Sequence, residues 1–463
     1  MKQQKLFTLL AQLSTSERRD LEKFLQSPLL NNRKIALDLY VLLQKKRTVP
    51  TKTAIFEALF PKEKYDDIKL RLAMSQLVKK IEAFWIFQYQ QKQKTQRREI
   101  LAEMYHQKGM YQASGKVLQK AIEQSNRQSE RNGRYYFEQY ELKLKRFDLA
   151  TTSRTSEQNL QEVSDSLDTA FLILKLQQAC SAVSHQTVYQ QEYQLGLLPL
   201  VLSYIEENKL TKIPAVGRYY YCYLALTGQQ AYQNFEQFKY LLFTYQHQFP
   251  KHEWNNLFLF GINICIRIIN SGDMRYLQEI LELYKKGLTT EALLDNDVLT
   301  RFTYQNITTA GIRTGDVKWT RQFLTDYKDK VEQTYRENAF RFNMARLAYH
   351  EQNYDEAIDL LRDTDQGDLL INLASKNLLL KIYYEMEEFK LLSAFLDAFQ
   401  IYLRRKKVLA SHRKNYWNMI YYTQKLMKVN PYDAADKLAL KKRIEGEAVL
   451  LERDWLLGQL ERI

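Results

Sequence analysis

Apolar residues recur every three to four positions along almost the whole chain, the spacing of helices with one buried face. Leu6, Phe7, Leu9, Leu10 and Leu13 already open it in this way. The breakers are few and far apart. No Gly precedes Gly109, and no Pro lies between Pro61 and Pro199 or between Pro250 and Pro431. Only 14 Gly and 7 Pro occur in 463 residues, so Gly-rich hairpins between strands find little support and helices joined by short polar turns find much. The pattern predicts an all-α chain in three regions. Residues 1–92 form a helical module punctuated by Pro28, Pro50 and Pro61, residues 93–400 a long series of helix pairs, and residues 401–463 a basic helical region broken at Asn430-Pro431.

Within the middle region, residues 100–122 place small residues where two antiparallel helices must touch. These are Ala102, Ser114 and Ala121, with Tyr105 one turn after the first, Gly109 at the turn, Tyr111 opening the second helix, and Leu118 and Leu101 as bulky apolar contacts. The arrangement resembles a tetratricopeptide repeat. Residues 344–361 are similar through Ala345, Tyr354, Ala357 and Leu361, but carry Ala348 at the aromatic position and Gln352 at the Gly. Residues 379–399 keep Tyr383, Phe389 and Leu396, with Glu387 at the turn and bulky Leu380 and Leu392 at small positions. Ser271-Gly272-Asp273 and Thr314-Gly315-Asp316 read as two more turns, Gly stopping one helix and Asp capping the next. Turn positions 272, 315, 352 and 387 are unevenly spaced, so the resemblance implies an irregular α-solenoid of stacked antiparallel helix pairs. Between residues 123 and 260 the pairs cannot be phased.

The N-terminal module admits two readings. Thr51 or Thr53 can cap a short helix ending at Phe60-Pro61, and Asp66 or Asp67 a longer one. Residues 51–81 resemble the core of a bacterial winged-helix activator, an aromatic-Pro pair preceding a basic helix that carries Ser75, Lys79 and Lys80. That resemblance implies a DNA contact in the major groove. Against it, residues 81–98 lack the Gly, Pro, Asn or Asp that a β-hairpin wing requires and read as continued helix. A helical cap on the solenoid is the competing reading. The run from Phe84, Trp85, Phe87 and Tyr89 to Lys92, Lys94, Arg97 and Arg98 resembles a single-strand stacking platform, yet its aromatics point in too many directions for one exposed helix face.

Charge sharpens the picture of partners. The net charge is +14, and residues 1–150 alone hold thirty Lys and Arg against sixteen Asp and Glu. Residues 151–399 are acidic, twenty-four against thirty-one, while residues 400–443 hold twelve basic groups against two acidic. Arg404, Arg405, Lys406, Lys407, Arg413 and Lys414 form the densest cluster, suited to phosphates or to an acidic protein. Thirty-two Tyr and twenty-two Phe fit wide gaps between irregular helices, and exposed members of Tyr219, Tyr220, Tyr221 and Tyr223, or of Tyr304 and Trp319, are the candidates for a partner-binding groove.

Chemistry is less visible. Cys180, Cys222 and Cys265 are too sparse for a disulfide framework or zinc site and read as buried thiols. Residues 109–116 lack the glycine spacing and hydroxyl of a phosphate loop. His252-Glu253 and His350-Glu351 lack the second His of a zinc protease, since Asn256 and Tyr354 stand in its place. The N-terminal apolar run is short and interrupted by Gln12, unlike a leader, and no segment has the length of a bilayer span. The expectation is a cytoplasmic, non-enzymatic scaffold or adaptor without metal or cofactor. It would bind a protein or peptide in a helical-repeat groove, and its basic ends would contact an acidic partner. The alternative is a nucleic-acid-binding regulator whose N-terminal module touches DNA.

Overall fold

The structure is a computed structural model that describes residues 2–44, 50–152, 160–189, 191–362, 369–405 and 410–463. Among these there are twenty-three α-helices and, beyond two isolated bridges, no β-structure. The helices gather into two compact units, Met1–Leu174 and Lys175–Ile463.

The first unit begins with α1 (Lys2–Gln12), α2 (Thr15–Gln26), α3 (Lys34–Gln44), α4 (Lys52–Leu59) and α5 (Asp67–Lys92). The first three pack around α5, and their apolar faces share one core from Leu6 to Phe84. The starts are written locally. Ser14 and Glu17 form a capping box on α2, Thr51 caps α4, and the Asp66 carboxylate accepts from the amides of Ile68 and Lys69. Helix α5 runs to Lys92 and α6 (Lys94–Gln107) starts two residues later, so residues 81–98 are helical apart from a break at Gln93. Among the described residues no hairpin follows α5, and the winged-helix resemblance of residues 51–81 is not supported.

Helix α6 pairs with α7 (Tyr111–Asn126) as the repeat pattern predicts. Ala102, Leu118 and Ala121 are buried, Gly109 is left-handed at φ +74°, and the Ser114 hydroxyl donates to the Ala102 carbonyl at 2.6 Å. Next come α8 (Gly133–Thr152) and α9 (Leu160–Tyr189), within which the unit boundary falls.

The second unit is an irregular α-solenoid. It contains α10 (Leu198–Glu207), α11 (Pro214–Thr227), α12 (Ala231–Thr244), α13 (Lys251–Asn270), α14 (Tyr276–Thr289), α15 (Arg301–Arg313), α16 (Val317–Asp326), α17 (Arg336–His350) and α18 (Tyr354–Leu361). It continues with α19 (Leu369–Glu385), α20 (Phe389–Arg405), α21 (Ala410–Leu426), α22 (Ala434–Gly446) and α23 (Arg453–Arg462). From α11 to α20 the helices pair in order. First helices also stack on one another, α11 on α13, α15 on α17 and α17 on α19. Gly228, left-handed at φ +84°, ends α11 and supplies a turn that the sequence pattern had not phased. Gly272 and Gly315 are left-handed as expected, and so are Gln352 at φ +61° and Glu387 at φ +58°. One expectation is corrected. Asp316 makes no side-chain cap on α16 and instead pairs with Lys285 at 2.9 Å. Asp273 likewise holds Arg275, at 2.6 Å.

Candidate partner-binding groove

Stacked first helices present one face in common, and side chains spaced three or four apart on each fall on it. Two adjoining clefts open there. The larger, about 290 Å³, lies among α15, α17, α19 and α21, with Phe302, Asn306, Phe342, Asn343, Ala374 and Tyr416 on its walls. The smaller, about 150 Å³, lies among α13, α14 and α15, lined by Asn270, Tyr284, Thr309 and Arg313. Asn306 lines both. Phe302 is 57% exposed, an aromatic ring offered to solvent at the mouth of the larger cleft.

Arg346 of α17 ties the clefts together. Its guanidinium donates to the Asn343 Oδ1 at 3.3 Å and to the Thr309 Oγ1 at 3.0 Å. Burial pulls its pKa below the ordinary arginine value, and the Glu452 carboxylate opposes that shift. About three turns beyond Ala374 on α19 stands Glu385, the last residue of that helix. Its carboxylate accepts from the hydroxyls of Tyr349 (2.6 Å) and Tyr354 (2.8 Å), from the Trp455 indole (2.6 Å) and from the Gln459 amide (3.2 Å). Burial and this carboxylate together raise both tyrosines, Tyr354 to about 12. Lys381, one turn before Glu385, pairs with Glu452 at 2.9 Å and lies under the rings of Tyr349 and Trp455.

The aromatic residues expected on a groove wall have mostly been drawn inside. Tyr219, Tyr220 and Tyr304 are buried, which corrects their expected exposure. The reason is hydrogen bonding between neighbouring helices. The Tyr219 hydroxyl donates to Glu253 at 2.7 Å, and that of Tyr304 to the Leu324 carbonyl at 2.6 Å, so each stitches its helix to another. Tyr221 and Tyr223 are half-buried, and Trp319 stacks on Phe323 with the Lys285 ammonium above it.

The expected anion contacts are scattered. In the first unit Lys79 is exposed, Ser75 half-buried, and the Lys80 ammonium is spent on the Leu30 carbonyl at 2.6 Å. Arg97 is exposed, while Arg98 donates to the Gln124 side chain. Phe84 is buried and Trp85 half-buried, whereas Phe87 and Tyr89 are exposed. A cleft beside them mixes Lys92, Lys94 and Arg134 with Glu99, Glu138 and Glu141, so no single sign of charge prevails there. In the second unit Arg404, Arg405, Arg413 and Lys414 are exposed, with Arg404 over the Trp417 ring. Lys406 and Lys407 lie outside the described residues. All three cysteines are buried and unbridged. Among the described residues no three His, Cys, Asp or Glu side chains gather as a metal site, and no helix is long and apolar enough to cross a membrane.

Sequence inspection did not single out Asn306, Asn343, Lys381 or Glu385. A signal was present. Asn343 and Arg346 of α17, then Asn377, Lys381 and Glu385 of α19, put polar groups at helical spacing beside the apolar residues of these helices.

No family model matches the chain, and no curated protein matches it. Among solved structures it is similar to the crystal structure of the APC/C hetero-tetramer Cut9-Hcn1, with 12% identity and a TM-score of 0.29 over 96% of this chain and 87% of that one. At that distance the fold rests on the helices described above.

Proposed function

We propose that this chain is a non-enzymatic scaffold that binds a protein or peptide partner along the first-helix face of its second unit. One observation carries the reading: adjoining clefts run across α13, α14, α15, α17, α19 and α21 and share Asn306. Such a face offers the exposed Phe302 ring, which gains from burial, and the exposed Asn306 amide, which can pair a partner's backbone. Tyr221 and Tyr223 of α11 and Trp319 of α16 are half-buried aromatic surface on other helices. Exposed Arg404, Arg405, Arg413 and Lys414 give an acidic partner a second contact, of the kind that speeds association more than it tightens it. Residues 1–92 serve as a helical cap in this reading, and Lys79 and Arg97 as exposed surface cations.

The test is affinity capture with the full chain, with and without nuclease, followed by mass spectrometry. Phe302→Glu places a charge at an exposed cleft position and should abolish capture of the specific partner while leaving the thermal melt unchanged. Recovery of nucleic acid alone, or an identical protein set with Phe302→Glu, refutes the reading.

A further inference from the structure

Helix α23 lies on the same face as the clefts, and its contacts state what that face recognises. The Glu452 carboxylate receives the Lys381 ammonium at 2.9 Å and approaches the Asn377 amide at 3.5 Å. Three residues on, the Trp455 indole donates to Glu385 and meets the Tyr384 ring edge-on at 5.4 Å. Leu456 and Leu460 are buried in the core that α19, α20 and α21 share, and Gln459 completes the bonds to Glu385. Positions 452, 455, 456, 459 and 460 form one helical stripe, the i, i+3, i+4, i+7, i+8 pattern of a helix seated in a groove. The opposite side of α23, at Asp454, Glu461 and Arg462, is exposed.

Two further features belong to this helix and its seat. It starts from Glu452 in the left-handed conformation at φ +55°, as α12 starts from Gln230 at φ +40°, and a residue with a Cβ adopts this unwillingly. One polar atom on the receiving face lacks a partner: Asn377 is 4% exposed, and its Oδ1 has no hydrogen-bond partner although its amide reaches Glu452. The open cleft at Phe342, Asn343 and Ala374 continues along the same faces of α17 and α19. A competing segment therefore has a place to land beside α23.

We infer that α23 is a built-in occupant of the groove, and that the partner bound there is an amphipathic helix with the same chemistry. That helix carries a carboxylate at its start, an indole or similar ring three residues on, and leucines four and eight residues on. It replaces α23 contact for contact, Lys381 taking its carboxylate and Glu385 its ring N–H. The inference rests on the scaffold reading given above and adds the class of partner and the element that competes with it.

The probe is a fluorescent peptide of residues 447–463, titrated against the full chain by anisotropy. Trp455→Ala loosens the resident helix, and Glu452→Lys does so through its contacts with Lys381 and Asn377. A groove occupied by its own helix for most of the time binds a competitor with an affinity reduced by its open fraction. Both variants should therefore bind the peptide about tenfold or more tightly than the natural chain. Adding Lys381→Glu to the Trp455→Ala chain should abolish that gain, and a peptide carrying Glu452→Lys should restore it. Circular dichroism and cooperative melting establish that each variant is folded. Folded variants that bind the peptide no better than the natural chain, or a gain indifferent to Lys381→Glu, overturn the inference. Partner capture that depends on Phe302 but survives this result leaves the scaffold reading standing. Loss of that dependence with peptide binding intact removes the scaffold reading instead.

Discussion

The helix pairs α6–α7 and α19–α20 share a sequence pattern but are held by different means. In the first, the fit is local. Gly109 makes the turn, and the helices approach until the Ser114 hydroxyl reaches the Ala102 carbonyl. In the second, Leu380 and Leu392 stand where small residues would be, both fully buried, and Glu387 takes the turn in a left-handed conformation. Its stability comes from outside the pair, through a filled core and through Glu385, which gathers Tyr349, Tyr354, Trp455 and Gln459. A repeat can thus depart from its consensus where neighbouring elements supply what the turn and the helix contact do not.

The sharpest break of this comparison exchanges the two small positions. Leu392→Ala should leave a cavity and cost about 3–4 kcal/mol in urea unfolding of the second unit. Ser114→Leu should cost about 3 kcal/mol in the first by overpacking the contact and removing a bond. If Ser114→Leu is neutral, the close approach of α6 and α7 is not what holds them. Glu385→Ala comes next, at about 2–3 kcal/mol, because half-buried donors lose their acceptor. Hydrogen exchange should show the loss at α18 and α23, with residues 100–122 unaffected.

Smaller effects refine the contrast. Gln352→Gly and Glu387→Gly should each raise stability by about 1 kcal/mol by relieving left-handed strain, while Gly109→Ala should lower it by a similar amount. The last effect is one of pH. Burial and the Glu385 carboxylate raise Tyr354 from its ordinary 10 to about 12, and raise Tyr349 as well. A raised pKa stabilises the fold at pH below 10, and that contribution is lost as pH climbs from about 10 through about 12. Denaturation followed across this window should be steeper for the natural chain than for Tyr354→Phe. Equal slopes would mean that the hydroxyl bond to Glu385 contributes nothing.

Much of the fold was legible in the sequence because its causes are local. Apolar spacing marked the helices, Thr51 and Asp66 capped their starts, and the turns at residues 109, 272, 315, 352 and 387 lie where the repeat pattern put them. The groove was less legible. Tyr219 and Tyr304 looked like wall residues because a tyrosine's burial depends on whether a partner waits for its hydroxyl, and Glu253 is thirty-four residues from the one and Leu324 twenty from the other.

The sequence by itself determined a helical chain with basic ends, the pairs at residues 100–122, 344–361 and 379–399, and the turns at residues 109, 272, 315, 352 and 387. Those depend on dihedral preference, capping and a period of 3.6 residues. Tertiary structure alone decided which face carries the clefts, why Gln352 and Glu387 tolerate a conformation that favours glycine, and that Glu385 meets Trp455 across seventy residues. Contacts between helices distant in sequence leave no period in the chain, so only the packed molecule brings them together.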